Sequence, residues 1–278
     1  MESGAANSET IELKHESPLY AEPIFEIGGF PITNSWINSF VVVLIVVTLC
    51  LSLRGRIKLI PKGLQNLMET AIESLMDLFD TVTHSREKTI KFAPLVLSLF
   101  FFILINNWLG LLPGVGTIGR VVSENGEAVF VPFLRGGTAD LNTTLALAII
   151  GVFMSHVLGV VATGWWHYFN KFINIKAFLQ IPKKIMKEPT IVLVNPIKAF
   201  VGLIEIIGEA AKVASLSFRL FGNIFAGEVL LVSMSAIMAF VVPIPFMFLE
   251  IIVGLIQAFI FSILILTYLS INTTKEEH

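Results

Sequence analysis

Five stretches of the chain contain no Lys, Arg, Asp or Glu: residues 36–53, 92–119, 141–170, 229–249 and 251–274. A helix of about 20 apolar residues crosses a bilayer, so each stretch can form a span or most of one. The pattern predicts an all-α integral membrane protein with five transmembrane helices. The organisation expected is an outer N-terminal segment over 1–35, a membrane domain over 36–271 and a cytoplasmic tail over 272–278. No internal repeat stands out.

Two segments break the simple pattern. In 61–82, Glu69, Glu73, Asp77 and Asp80 fall on one helical face, and Leu64, Leu67, Met68, Ile72, Leu75, Met76 and Phe79 fill the rest. Pro61 suits a helix start. This reads as an amphipathic helix lying on the inner interface, its acidic stripe a solvated or subunit-facing edge. From 195 to 242 the residues favour one helix, roughly 70 Å long against a hydrocarbon core of about 30 Å. Such a helix must tilt, curve or break. Pro243 and Pro245 end it, and 246–271 returns as the second arm of a long charged hairpin. Gly119, Gly126, Pro132, Gly136 and Gly137 mark 120–140 as an outer loop.

Composition agrees. The 278 residues are 55% hydrophobic and 14% charged, against about 25% charged in soluble proteins. A net charge of −2 excludes a basic nucleic-acid binder. The single cysteine, Cys50, cannot form an internal disulfide and reads as a small hydrophobe in the first span. The leader before that span carries Glu2, Glu9, Glu12, Glu16, Glu22 and Glu26 against Lys14, unlike the basic leader of a signal peptide. The first span is therefore expected to be retained. Basic residues cluster after it (Arg54, Arg56, Lys58, Lys62, Arg86, Lys88, Lys91) and again over 171–198, but are sparse over 120–140. Because Lys and Arg mark the cytoplasmic side, the N-terminus is expected outside and the C-terminus inside.

The charged helix carries the chemistry. Along it lie Lys198, Glu205, Glu209, Lys212, Arg219 and Glu228. Arginine at a bilayer centre costs about 2.5–3.5 kcal/mol on insertion scales and does not escape by deprotonating. Arg219 therefore needs water or a carboxylate partner, and the plain structural alternative is an ion pair with Glu228 or Glu250. Gly208, Ala211/Lys212, Ser215, Arg219, Gly222/Asn223 and Ala226 share one face at helical spacing. Small residues allow close approach of another helix. Antiparallel pairing puts Arg219 level with Gln257, and Glu228 level with Glu250 about 14 Å further outward. Glu205 points to the inside end. Carboxylates on both sides of a fixed positive charge suggest two half-pathways separated by a barrier.

The run Ser215-Leu-Ser-Phe-Arg219-Leu-Phe-Gly-Asn223-Ile-Phe-Ala-Gly-Glu228 resembles the signature of the F-type ATP synthase subunit a family. Leu255-Ile-Gln257-Ala-Phe-Ile-Phe, Asn107-Trp-Leu-Gly-Leu-Leu-Pro113 and Thr138-Ala-Asp140-Leu-Asn142-Thr-Thr resemble its other membrane segments. The resemblance implies a proton-translocating stator subunit of the Fo sector in a bacterial plasma membrane. Its implied partners are a ring of c subunits, the subunit b peripheral stalk and lipid. It implies no cofactor or metal, and phosphoryl chemistry on other subunits. Arg219 matches the essential arginine, Asn223 and Gln257 its polar neighbours, Glu228 and Glu250 the outer pathway, and Glu205 an inner acid. Asp140, Asn142 and Asn107 match the outer vestibule, and Gly208, Lys212, Ser215, Gly222 and Ala226 the rotor-facing surface. Glu250 stands where some relatives carry histidine, and Gly110 where some carry a carboxylate.

Remaining polar residues read more plainly. His156 suits a hydrogen-bonding role or the inner pathway, His84 and His167 sit near interfaces, and Asn106 suits polar packing or the vestibule. Trp36, Trp108, Trp165 and Trp166 suit interfacial anchoring. A self-contained channel or secondary transporter is the main alternative, but no inverted repeat is visible. An intramembrane enzyme lacks its motifs, and a passive scaffold does not need Arg219.

Overall fold

The structure is a computed structural model. It describes residues 20–274 except 56, 117, 125–126, 167, 169–190 and 239–240. Among the described residues, five helices are long and apolar enough to cross a membrane. They are α1 (Asn34–Arg54), α3 (Arg86–Gly110), α4 (Leu141–Thr163), α5 (Ile191–Ile237) and α6 (Pro243–Thr273). The amphipathic helix α2 (Leu64–Thr83) lies between the first two. Apolar residues on both sides of the spanning helices leave backbone hydrogen bonding to the helices themselves, as a bilayer requires.

Helices α3, α4, α5 and α6 pack into one bundle. Its centre is built from Val96, Ile103, Ala148, Val152, Leu216, Leu220, Ala258, Ile265 and Leu269, all buried. Helix α1 packs against α3 only along part of its length. Phe40, Leu44, Val47 and Leu51 on its outer face are exposed, which suits contact with lipid. Helix α2 packs across α3 and α6 through Leu75, Met76 and Phe79. Its acidic edge is held at the α2–α3 corner, where Arg86 meets Asp80 at 2.7 Å and Asp77 at 3.3 Å.

Helix α5 has 47 residues, about 70 Å of axis. It begins at Ile191 rather than 195, continues through Pro196, and stops at Ile237 rather than 242. Pro243 occupies the first turn of α6, where a missing N–H costs no hydrogen bond.

The segments outside the bundle are more ordered than a loop reading suggests. Strands β1 (Pro23–Ile27) and β2 (Phe30–Thr33) form a hairpin closed by Gly28 and Gly29. Both glycines have positive φ, 59° and 81°, the conformation that a tight two-residue hairpin turn requires. A short strand β3 (Pro113–Gly116) precedes a second hairpin of β4 (Gly119–Glu124) and β5 (Glu127–Pro132). The region 120–140 is thus a hairpin and a 3-10 turn (Gly137–Ala139), not an irregular loop. The hairpins meet through Arg120, which donates to the Pro23 carbonyl at 3.2 Å.

Candidate functional site

Three levels of polar chemistry lie along α5. At the hairpin end, Arg135 is 3% exposed. Its Nε donates to both oxygens of Glu228, at 2.9 and 3.2 Å, and its Nη1 donates to the Tyr20 carbonyl at 3.3 Å. The guanidinium also stands 6.0 Å from the Phe225 ring, while Nη2 is buried without a hydrogen bond. These groups border a cavity of about 970 Å³ lined in part by Asn107, Arg135, Glu228, Ser235 and Glu250.

Glu250 is 5% exposed and makes no hydrogen bond or ion pair to a described residue. Its carboxyl group lies against Gly227, and a Cβ at 227 would overlap it. Glu228 and Glu250 therefore line one cavity from the two arms of the hairpin. They are not a mutual pair: Glu228 is held by Arg135 and Glu250 stands apart.

The other vestibule residues are engaged in structure. Asn107 donates from Nδ2 to the Gly254 carbonyl at 2.8 Å, and its Oδ1 accepts from Thr138 at 2.6 Å. It clamps α3 to α6 and to the 3-10 turn, while still bordering the cavity. Asp140 is the N-cap of α4, accepting from the Asn142 backbone N–H at 3.3 Å and from Thr143 Oγ1 at 3.1 Å. Asn142 Nδ2 also donates to Asp140, at 3.4 Å. Such a cap stabilises a helix by about 1 kcal/mol. Capping accounts for these hydrogen bonds. Asn106 is buried between α1 and α3, accepting from Asn38 at 3.2 Å.

At the middle level, Arg219 is exposed. Its one hydrogen bond, to Ser215 Oγ, is long at 3.5 Å, and it makes no ion pair with a described residue. The ion pair with Glu228 or Glu250 is absent. Asn223 and Gln257 likewise make no hydrogen bond to a described residue. Ala211, Ser215, Gly222, Asn223 and Ala226 are exposed beside Arg219, and a Cβ at Gly208 or Gly222 would meet open space. Behind this face the bundle is apolar: Leu216, Leu220, Ala258, Phe261 and Ile265 are buried. The polar side chains buried in this layer are few and small, such as Thr144 and Ser217, 3.2 Å apart.

At the far end, Glu209 meets two partners, one of which leads on to a third side chain. Lys212 Nζ donates to its Oε1 at 2.7 Å, and His156 Nε2 lies 3.3 Å from its Oε2. His156 Nδ1 is hydrogen-bonded to the Tyr168 hydroxyl. Burial, with Glu209 and Glu205 nearby, pushes the Tyr168 hydroxyl up to about 12, so it keeps its proton at neutral pH. Lys212 also stands 4.9 Å over the Tyr268 ring. Its side chain is thus turned into the bundle, away from the small-residue face on which helical spacing places it. Glu205 is half-buried one turn further along α5.

Sequence reasoning passed over Arg135 and Glu209 as site residues. Arg135 sits 93 positions from Glu228 and looks like an ordinary loop cation. Glu209 carries a signal in retrospect, since Lys212 three residues on is a helical neighbour. Of the remaining residues, His84 ends α2 with a φ of 53°, exposed. Trp36, Trp108, Trp165 and Trp166 are exposed near span ends, and Trp108 donates to the Ile251 carbonyl at 3.0 Å. Cys50 is exposed rather than buried. His167 lies outside the described residues.

Comparison with known proteins gives one family. The model of the family described as ATP synthase A chain matches residues 36–270. ATP synthase subunit a of Geobacter sulfurreducens is 31% identical over 255 residues, covering 92% of each chain. The subunit of the same name from Geotalea uraniireducens is 32% identical over 256 residues, also 92% of each. That of Moorella thermoacetica is 27% identical over 249 residues, 89% of this chain and 94% of that one.

Proposed function

This chain belongs to the ATP synthase A chain family, and on that premise we propose that it is the proton-translocating stator subunit of an Fo sector. In this reading it abuts a rotating ring of c subunits, is braced by the subunit b stalk, and performs no phosphoryl chemistry itself. It resides in a bacterial plasma membrane with the hairpin end outside.

The observation that carries the reading is Arg219. A guanidinium with no carboxylate partner among the described residues, exposed midway along a membrane-spanning helix, is a costly arrangement in lipid alone. It is reasonable only where water or a passing carboxylate meets it. The small, open surface around it suits close passage of a partner helix, and Asn223, one turn on, offers hydrogen-bonding capacity beside it.

The steps follow from charge and burial. A proton enters the cavity at Glu228 and Glu250 and reaches a carboxylate on the ring. The neutral carboxyl rotates into lipid, because desolvation penalises the charged form. Near the Glu205 end it gives up the proton and returns to Arg219 as an anion. Arg219 repels a proton travelling directly between the ends, and the largely apolar layer behind it, with only small hydroxyls such as Thr144 and Ser217 among the described side chains, makes a poor bypass. Each proton falling through 100 mV supplies about 2.3 kcal/mol.

The test is Arg219 itself, in reconstituted vesicles carrying the whole complex. Arg219→Ala should abolish gradient-driven synthesis, with passive proton leak unchanged or raised. Arg219→Lys should be severely impaired, since it loses the planar, weakly hydrated fork. Normal synthesis by an assembled Arg219→Ala complex overturns the proposal.

A further inference from the structure

The far cluster is more than a helix-end ion pair. Lys212 alone balances the charge of Glu209 through Oε1, at a spacing common on helix surfaces. Yet the second oxygen, Oε2, is buried, makes no hydrogen bond of good geometry, and faces an imidazole nitrogen 3.3 Å away. That imidazole comes from another helix, α4, and its second nitrogen is engaged by Tyr168. The side chains of His156, Glu209 and Lys212 remain 25%, 15% and 30% exposed, so water reaches the cluster.

We propose that His156, coupled to Glu209, is the proton-exchanging group of the second half-pathway, with Tyr168 and Lys212 as positioning residues. This rests on the stator reading above. The protonation bookkeeping closes at each step. In the neutral state the Tyr168 hydroxyl donates to Nδ1, which leaves the N–H on Nε2, directed at Glu209. When a ring carboxyl releases its proton, the imidazole takes it up. Both ring nitrogens then carry hydrogen: Nε2–H faces the Glu209 carboxylate, and Nδ1–H donates to the Tyr168 oxygen, which turns from donor to acceptor. Loss of the proton to water restores the first state. Tyr168 keeps its own proton throughout. Among the described residues, His156 meets Glu209 from α5 and Tyr168 beyond α4; around these stand Lys212, on the other oxygen of Glu209, Tyr268 from α6, under Lys212, and Glu205, near enough to act on Tyr168. The Glu209 carboxylate lies where it meets an Nε2–H in either state, and Lys212 holds its other oxygen in place. Imidazole suits this exchange because each ring nitrogen serves as donor or acceptor, and here each already faces an oxygen.

The experiment is gradient-driven synthesis and ATP-driven pumping by the reconstituted complex, with pH varied separately on each side. Assembly is followed by co-purification of the ring. His156→Gln and Glu209→Gln should each lower the rate by at least about tenfold and flatten its dependence on pH on the side facing this cluster. Dependence on pH at the other side should be unchanged. Glu209→Asp, which keeps the charge but withdraws it from the imidazole, should displace the same profile and serves if Glu209→Gln fails to assemble. His156→Asn serves likewise. If the assembled variants keep the wild-type rate and both pH profiles, the cluster is only structural and the inference falls. If Arg219→Ala still abolishes synthesis in the same preparation, the stator reading survives that failure.

Discussion

A buried carboxyl that touches no donor among the described residues has one property left to contribute, its proton. Glu250 is such a group, set against Gly227 and facing the cavity. Glu250→Gln should slow proton entry by a factor on the order of a hundred, read as the initial rate of gradient-driven synthesis. Glu250→His should retain more than Glu250→Leu, and equal loss in both would mean that protonation at this position is not used. Glu228 sits in a different situation, because Arg135 already holds it. Arg135→Gln should loosen the two hairpins by about 1–3 kcal/mol, less than for a fully buried pair because the Glu228 side chain is 28% exposed. Earlier heat inactivation and faster proteolysis near residues 120–135 would show it. Arg219 was legible in the sequence because a permanent charge in apolar surroundings has no ordinary explanation. Arg135 was not, since its burial depends on the Tyr20 carbonyl, Phe225 and Glu228 converging on it from distant segments.

Helix glycines separate two kinds of close approach. A Cβ at Gly159 would meet the Asn272 carbonyl oxygen at 3.0 Å and the Tyr168 ring at 2.7 Å, and the backbone cannot give way easily. A Cβ at Gly151 would meet the flexible end of Ile265 at 2.5 Å. Gly159→Ala should therefore destabilise the subunit by about 1–3 kcal/mol, and Gly151→Ala by less. Thermal melting of the purified complex compares them. Gly222 behaves in the opposite way, with nothing within 4 Å of its missing Cβ. Gly222→Leu should leave the fold intact while impairing rotation, seen as lost pumping with the subunit present at normal abundance. A folding defect would place that surface inside the subunit instead. The spans were readable at this scale because charge-free runs need no partner to be recognised. The hairpins were not: their strands, β1 with β2 and β4 with β5, are only four to six residues long, too short for alternating polarity to mark them.

Across the whole molecule, the decisive feature is the order of layers: the Arg135–Glu228–Glu250 cavity, the Arg219 belt backed by apolar side chains, and the His156–Glu209–Lys212 cluster. If these are two half-pathways, water enters from opposite sides and stops at the belt. After replacing Cys50, single cysteines can be placed at Ser235, which lines the cavity, at Ser262, which is fully buried behind the belt, and at Lys212. A membrane-impermeant thiol reagent should label the first from one face of sealed vesicles and the last only from the other. The Ser262 site should resist both. The same preparations test the topology, because a cysteine at Glu12 and one at Glu277 should label from opposite faces, with Glu12 on the Ser235 side. An odd number of spans demands that outcome. Labelling of Ser235 and Lys212 positions from the same face would mean one continuous pore, the arrangement of a self-contained channel, and would remove the reason for an exposed Arg219 at the middle level.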